Sequence, residues 1–202
     1  MRKKNVAILI SGNGSNMVEL IKDMKKKNHP GKPVIVISDN KDALGIKKAK
    51  KLGCETKIIE FKKFPSKNDF EIKLSSELKK LKIDIICLAG FMRILSESFI
   101  SLYEKKILNI HPSILPLFPG LDTHKKALNS GIRVHGATVH FVTKKVDSGK
   151  IIAQGITYIK NKDTELSLSK RVLKIEHKLY KKALINFLKN KNDPLLVLDK
   201  NL

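Results

Sequence analysis

Short apolar runs of strand length alternate with longer, Lys-rich amphipathic stretches along the first half of the chain. Continuous Val, Ile and Leu runs of this kind are typical of parallel strands that are buried on both faces. They predict strands at residues 5–10, 33–38, 56–60, 84–89 and 106–110. The stretches between them predict helices near 16–27, 43–52, 67–81 and 97–102. The pattern therefore predicts an α/β fold, a doubly wound and mostly parallel sheet with helices on both faces.

The second half of the chain has a different pattern, with long β-type runs joined by a short polar segment. Its predicted elements are a helix at 123–129, strands at 136–143 and 151–159, a helix at about 164–190 and a strand at 194–198. Because the two long strands are joined by a short loop, we expect an antiparallel extension of the sheet. The sequence has no internal repeat or low-complexity linker, so we expect one domain over residues 1–202.

The chain is strongly basic, with a formal net charge of +22 over 202 residues. A charge of this size first suggests nucleic acid or an anionic substrate as partner. Only four of the 41 basic residues are arginines, however, and the lysines are spread over every predicted helix. Proteins that read bases rely on bidentate Arg, so a solvated basic surface is the favoured interpretation. We expect no nucleic-acid partner.

Two cysteines, Cys54 and Cys87, lie far apart and form neither a disulfide framework nor a zinc pattern. No His, Cys, Asp and Glu cluster has metal-ligand spacing, so no metal is expected. The apolar stretch at 6–10 is too short for a signal sequence, and no segment could span a bilayer. We therefore expect a cytoplasmic protein without a membrane partner.

A loop of small polar residues at 11–16 (Ser-Gly-Asn-Gly-Ser-Asn) follows the first strand and opens the first helix. Small residues let the backbone approach a ligand, and the free N–H groups of a helix N-terminus favour an anion. A tight turn capped by the loop's own side chains is the alternative. The dinucleotide fingerprint fails at Met17, although Asp39 could stand for its ribose-binding acid. A phosphomonoester fits better, with Lys67 or a lysine of the last helix as counter-charge.

An amide, an imidazole and a carboxylate form the best candidate for catalysis. Asn109 and His111 lie two residues apart where a strand ends, so their side chains share one direction. Asp147 lies in a second polar loop that could fold over the same sheet edge. If the three meet, the carboxylate would hold His111 in its protonated form, and the imidazolium and the amide could donate to an oxyanion.

The other five histidines are weaker catalytic candidates than His111. None of them has an amide and a loop carboxylate placed as well in the sequence, and a lone histidine is more often structural. They are His29, His124, His135, His140 and His177.

Four segments together resemble the phosphoribosylglycinamide formyltransferases, a family within the folate-dependent formyltransferase superfamily. They occur in the same order as in that family and are residues 8–16, 88–95, 108–113 and 136–142. The resemblance runs from residue 5 to about 190. It implies direct formyl transfer from 10-formyltetrahydrofolate to the amine of glycinamide ribonucleotide in purine synthesis, through an oxyanion intermediate. Asn109 and His111 would polarise the formyl group, and Asp147 would keep His111 charged and help to relay protons.

The resemblance also implies binding residues. Gly14, Ser15, Asn16 and Lys67 would hold the substrate phosphate, and Glu176 would accept the ribose hydroxyls. The residues implied for folate binding are Met92, Arg93, Ile94, Leu95, Thr143, Lys144, Lys145, Val146 and Asp147. The family carries a cis peptide at the position of Leu115-Pro116, which an X–Pro bond tolerates.

This chain departs from the family at several positions. Lys144-Lys145 stand where relatives often have an acidic residue, which alters the electrostatics near Asp147. Lys67 replaces a phosphate-binding arginine and so loses the bidentate fork. Leu173, beside Lys174, replaces a polar or basic residue. The sequence leaves open whether Lys67 or Lys174 reaches the phosphate.

Three other functions compete with this interpretation, two of them enzymatic and one non-catalytic. A methionyl-tRNA formyltransferase would need a C-terminal RNA-binding domain, and a formyltetrahydrofolate hydrolase would need an N-terminal regulatory domain. A non-catalytic nucleotide- or RNA-binding module would use the net charge and bind with steep salt dependence. We expect instead an enzyme with two small-molecule substrates, as a monomer or homodimer.

Overall fold

The computed structural model describes residues 2–191 and 195–199. The chain divides into two compact units, residues 1–109 and 110–202. In the described part of the chain, eight strands belong to one sheet, and all but one of the pairings given below are parallel. This confirms the predicted α/β fold class.

The first unit alternates strands and helices along the chain. Its strands are β1 (Lys4–Ile10), β2 (Gly31–Ser38), β3 (Glu55–Ile58), β4 (Ile85–Leu88) and the start of β5 (Ile107–His111). Its helices are α1 (Ser15–Met24), α2 (Leu44–Lys51), α3 (Lys67–Lys80) and α4 (Glu97–Leu102).

Strand order in the first unit is β3-β2-β1-β4-β5, with every pairing parallel. The chain therefore winds outward from β1 to β3 and then returns to place β4 on the other side of β1. Residues 6–10 of β1 are fully buried because the strand is central. In such sheets, ligands bind beyond the carboxyl ends of the strands where the order reverses. Here that point lies after β1 and β4.

The second unit contains the end of β5, then α5 (Thr123–Asn129), β6 (Val134–Phe141), β7 (Ile151–Tyr158), α6 (Glu165–Leu188) and β8 (Leu195–Leu198). β6 pairs antiparallel with β7, as expected for the extension, and β8 pairs parallel with β7. The inner face of α6 is buried and, apart from Glu176, mostly apolar. Its members include Leu168, Val172, Leu179 and Leu184.

Several helices begin at residues whose side chains cap the free N–H groups of the first turn. Ser66 accepts from the backbone N–H of Asp69 at the start of α3, and Ser96 caps α4 in the same way. Thr164 and Ser167 form a reciprocal capping box at the start of α6.

The predicted elements match the observed ones to within three residues at each end. The largest difference is at α1, which ends at Met24 rather than at residue 27. There Lys26 donates its backbone N–H to Asp23, and His29 donates to Lys26, so the chain turns before Pro30. Residue 194 of the predicted last strand lies outside the described residues.

Candidate active site

The glycine-rich loop lies at the carboxyl end of β1, in the first unit. Gly14 has φ 67° and stands immediately before α1, so Ser15 is the first helical residue. Gly12 and Asn13 are exposed, and Asn16 is buried. The loop therefore joins a left-handed glycine to a helix N-terminus, where backbone N–H groups suit an anion. Lys67 is exposed at the first residue of α3.

The loop after β4 is hydrogen-bonded to the glycine-rich loop through Ser11. The Ser11 N–H donates to the carbonyl of Gly90 at 2.9 Å, and the Met92 N–H donates to Ser11 Oγ at 2.8 Å. The segments predicted to bind phosphate and folate in this unit are therefore held next to each other. Met92 and Ile94 expose 64% and 65% of their surface.

Arg93 makes an ion pair that the sequence did not reveal. Its Nε lies 2.6 Å from Oδ2 of the buried Asp39, and its guanidinium lies 4.4 Å from the centre of the Phe61 ring. Asp39 therefore orients Arg93. A role for Asp39 as the ribose-binding acid of a nicotinamide site is not supported, because one of its carboxylate oxygens binds Arg93. Leu95 is buried.

The predicted imidazole and carboxylate meet in the second unit. His111 is the last residue of β5 and is buried, and its Nδ1 lies 3.3 Å from Oδ2 of Asp147. The other ring nitrogen, Nε2, lies 3.0 Å from the carbonyl oxygen of Phe118. Asn109 lies two residues earlier on the same strand and is half-buried.

Two neighbouring groups contact the Asp147 carboxylate, and its backbone has an unusual conformation. The backbone N–H of Gly120 donates to Oδ2 at 2.9 Å, and Nε2 of His140 lies 3.6 Å from Oδ1. Its own backbone has φ 51°, in the left-handed region. Burial acts to raise the pKa of Asp147, but the hydrogen bonds from His140 and Gly120 and the nearby His111 together lower it. The carboxylate is therefore ionised at neutral pH.

His111 does not carry the charge that the sequence argument expected. Burial lowers its pKa, and this effect outweighs the Phe118 carbonyl and the Asp147 carboxylate, which both act to raise it. The charges of His140 and Lys126 lower it further. Desolvation therefore opposes the expectation that Asp147 keeps His111 protonated, because it is the larger of the two effects.

The loop after His111 is held by hydrogen bonds to the neighbouring strands. Thr138 Oγ1 donates to the carbonyl of Ser113 at 2.7 Å and accepts from the N–H of Leu115 at 3.0 Å. Gln154 Nε2 donates to the carbonyl of Leu115 at 2.8 Å. The Leu115-Pro116 peptide is cis, as the family resemblance implied.

The loop from Thr143 to Asp147 is built on two side-chain hydroxyls. Thr143 Oγ1 and Ser148 Oγ both donate to the carbonyl of Lys145, at 3.1 and 2.8 Å. Lys144, Lys145 and Val146 are exposed. The remaining predicted residue of this unit, Glu176, is buried on α6.

His140 belongs to the candidate site, although the sequence did not predict it there. It was set aside with the other histidines, yet the structure places it against Asp147. The available signal was the short β6–β7 connection, because a hairpin brings the end of its first strand close to its own loop. Spacing along the chain could not show which face of β6 the Asp147 loop covers.

Neither a metal centre nor a membrane-spanning helix is found in the residues that the structure describes. No group of three or more His, Cys, Asp or Glu side chains there is placed to hold a metal ion. Among the same residues, no helix combines the length and the hydropathy that crossing a bilayer requires.

The sequence and the fold match one family. The formyl transferase family model matches residues 4–184. The phosphoribosylglycinamide formyltransferase of Escherichia coli (strain K12) is 40% identical over 87% of this chain and 83% of its own length. The crystal structure of the Brucella melitensis phosphoribosylglycinamide formyltransferase has a TM-score of 0.90 and 48% identity, covering 93% of this chain and 96% of that one.

A second kind of relative is much longer. The trifunctional purine biosynthetic protein adenosine-3 of Gallus gallus is 44% identical over 90% of this chain, which spans only 18% of that protein's length. Residues 4–184, which the formyl transferase family model matches, contain the glycine-rich loop and the His111–Asp147 pair. The chain thus belongs to the formyl transferase family.

Proposed function

We propose that this protein transfers the formyl group of 10-formyltetrahydrofolate to the amine of glycinamide ribonucleotide, a step of de novo purine synthesis. The observation that carries the proposal is the buried His111–Asp147 pair, 3.3 Å apart, at the end of β5 and two residues after Asn109. The relatives named above as phosphoribosylglycinamide formyltransferases support the choice of acceptor. We further propose that the reaction takes place in the cytoplasm and involves no nucleic-acid partner.

The reaction needs groups that manage one oxyanion and one proton. The amine nitrogen forms a bond to the formyl carbon, and the carbonyl electrons move to the oxygen. Asn109 donates to that oxygen. The developing negative charge and Asp147 both favour the protonated ring, so His111 takes up the proton that the amine loses. When the tetrahedral intermediate collapses, the bond between the formyl carbon and N10 of the folate breaks. N10 receives the proton held by His111, and tetrahydrofolate leaves.

We assign the binding residues of each unit in turn. In residues 1–109, we assign Gly14, Ser15, Asn16 and Lys67 to the substrate phosphate. The folate residues assigned in that unit are Met92, Arg93, Ile94 and Leu95. The exposed side chains of Met92 and Ile94 offer apolar surface on which a pterin ring can pack.

In residues 110–202, we assign Glu176 to the ribose hydroxyls. The folate residues assigned there are Thr143, Lys144, Lys145, Val146 and Asp147. Because two hydroxyls fix the carbonyl of Lys145, the backbone of this loop keeps a constant shape even though its side chains are exposed. Contacts from the backbone tolerate the lysines that replace acidic residues in relatives.

The test is an assay of the purified protein with synthetic glycinamide ribonucleotide and 10-formyl folate, read by folate absorbance. Asp147→Asn keeps an oxygen for the Gly120 N–H but removes the charge that favours protonated His111. We expect its turnover to fall by roughly 100-fold or more, the contribution typical of general acid–base catalysis, with an unchanged fold. Asn109→Ala, which removes an oxyanion donor, should lose a comparable factor.

Asp122→Asn is the matched control, because Asp122 is exposed and also has a left-handed backbone, with φ 58°. Its turnover should equal that of the wild type. Normal turnover in both Asp147→Asn and Asn109→Ala would exclude the proposed catalytic roles.

A further inference from the structure

Three consecutive carbonyl groups of the glycine-rich loop accept hydrogen bonds from one neighbouring segment. Ser11 O accepts from Asn40 Nδ2 at 3.2 Å, and Gly12 O accepts from the Gly45 N–H at 3.0 Å. Asn13 O accepts from Lys48 Nζ at 3.0 Å. All three donors lie in residues 40–48, which comprise the turn after β2 and most of α2.

This pattern fixes the direction of the loop's N–H groups. In a planar trans peptide, the carbonyl and the following N–H point in opposite directions. Since the carbonyls of Ser11, Gly12 and Asn13 point toward residues 40–48, the N–H groups of Gly12, Asn13 and Gly14 point away from them. Successive N–H groups aimed to one side, next to a helix N-terminus, form a concave site for an anion.

Gly45 brings α2 into backbone contact with the loop. A Cβ atom on Gly45 would lie 2.5 Å from Ile10 Cδ1, 3.1 Å from Gly12 O and 3.3 Å from Gly14 Cα. A Cβ on Gly14 would lie 3.0 Å from Gly45 Cα. The flexible end of the Ile10 side chain can move aside, but Gly12 O and Gly14 Cα belong to the backbone of the loop. A side chain at position 45 would therefore shift the loop by a few tenths of an ångström and lengthen the hydrogen bond to Gly12.

Lys48 also connects α2 to the glycine-rich loop. Its ammonium group contacts both the backbone oxygen and the side-chain Oδ1 of Asn13. Lys48 therefore holds the outer side of the loop, on the side opposite to the loop's N–H groups.

We propose that Asn40, Gly45 and Lys48 are positioning residues for a phosphomonoester. They bind the carbonyl side of the glycine-rich loop and so aim its N–H groups at the phosphate, without touching the substrate. This inference rests on the proposed function, because it takes the phosphate of glycinamide ribonucleotide as the anion.

The test is Gly45→Ala, compared with wild type in steady-state kinetics. Position 45 has no side chain to bind a substrate, so an effect on phosphate must pass through the loop. We expect the KM for glycinamide ribonucleotide to rise roughly tenfold or more, the equivalent of one weakened hydrogen bond to a charged group. The kcat and the KM for 10-formyl folate should stay near the wild-type values. With the ribonucleoside that lacks the phosphate, wild type and variant should have equal KM values.

Two further variants separate positioning from general damage. Gly53→Ala places a Cβ at φ 63° just beyond α2, where the nearest atom is Lys25 Nζ at 3.8 Å. It should lower stability and leave the KM for the ribonucleotide unchanged. Lys48→Met should raise that KM, and Lys48→Arg should restore most of it because arginine keeps a donor for Asn13 O.

The proposal is overturned if Gly45→Ala and Lys48→Met both keep the wild-type KM for the ribonucleotide, or if the KM for the phosphate-free ribonucleoside rises equally. Should wild type not formylate glycinamide ribonucleotide, the proposed function fails by itself. In that case, calorimetry measures the affinity of wild type and of Gly45→Ala for inorganic phosphate. At least tenfold weaker binding to Gly45→Ala than to wild type supports positioning, whereas equal affinity, or no binding to wild type, refutes it.

Discussion

Protonation of one buried histidine should make this protein sensitive to acid. His135 is fully buried on β6, and its Nε2 lies 3.2 Å from Nδ1 of His124. Burial, and then the electrostatic effect of the neighbouring His124 and His111 rings, lowers the pKa of His135 from 6.5 to about 4. Between about pH 6.5 and pH 4, His135 is therefore protonated in the unfolded chain but neutral in the folded protein.

The sign and the size follow from proton linkage. Below pH 6.5 the unfolded chain protonates this ring, while the folded protein does not until about pH 4. Stability therefore falls as the pH drops through this window and levels off below it. At about 1.4 kcal/mol per pKa unit, the loss due to His135 is on the order of 3 kcal/mol. That is a large part of the roughly 5–15 kcal/mol that stabilises a typical domain.

The assay is urea unfolding followed by far-UV circular dichroism, since the chain has no Trp. The free energy of unfolding is measured at several pH values between about 7 and about 4 for wild type and His135→Gln. Glutamine has an amide that can donate to or accept from His124, but it does not titrate. We expect the variant to lose on the order of 3 kcal/mol less than wild type across this range.

Lys125→Gln is the control, because Lys125 is exposed beside His124 and its removal changes charge alone. Its stability should follow the wild-type pH dependence. If His135→Gln loses as much stability on acidification as wild type, the buried neutral ring is not the cause and the linkage reasoning is refuted.

Two other substitutions test the packing and the caps of the second unit. Gly136→Ala would place a Cβ 1.8 Å from the carbonyl oxygen of Gly155 on the paired strand, so the free energy of unfolding should fall by about 3 kcal/mol or more. A loss below about 1 kcal/mol would mean that the strands can separate easily at this point. Thr164→Ala removes the capping box of α6 and should cost about 1 kcal/mol in urea unfolding, with activity unchanged. An equal unfolding midpoint would show that the cap contributes nothing.

The sequence predicted the elements well because their signals are local. Strand runs such as residues 6–10 are continuously apolar, and the ends of helices are marked by residues such as Ser66 and Thr164. The pairing of His111 with Asp147 was predicted because each lies at the end of a strand or in a hairpin loop. Such positions converge on one edge of an α/β sheet.

Other features depend on neighbours that are remote in the chain. Nothing near Asp39 in the sequence indicates Arg93, 54 residues later, as its partner. The role of His140 depended on how the β6–β7 hairpin folds over its own strand. The pKa of His111 could not be predicted from the presence of a carboxylate, because burial exceeds that one favourable charge.

The sequence by itself determined the α/β class, the order of strands and helices, the glycine-rich loop and the identity of the catalytic candidates. These depend on residue type and on periodicity along the chain, which do not need tertiary contacts. The tertiary structure decided the protonation of His111, the partners of Asp147 and the hydrogen bonds from residues 40–48 to the glycine-rich loop. Desolvation and hydrogen-bond direction depend on atoms that only the folded chain brings within a few ångströms of each other.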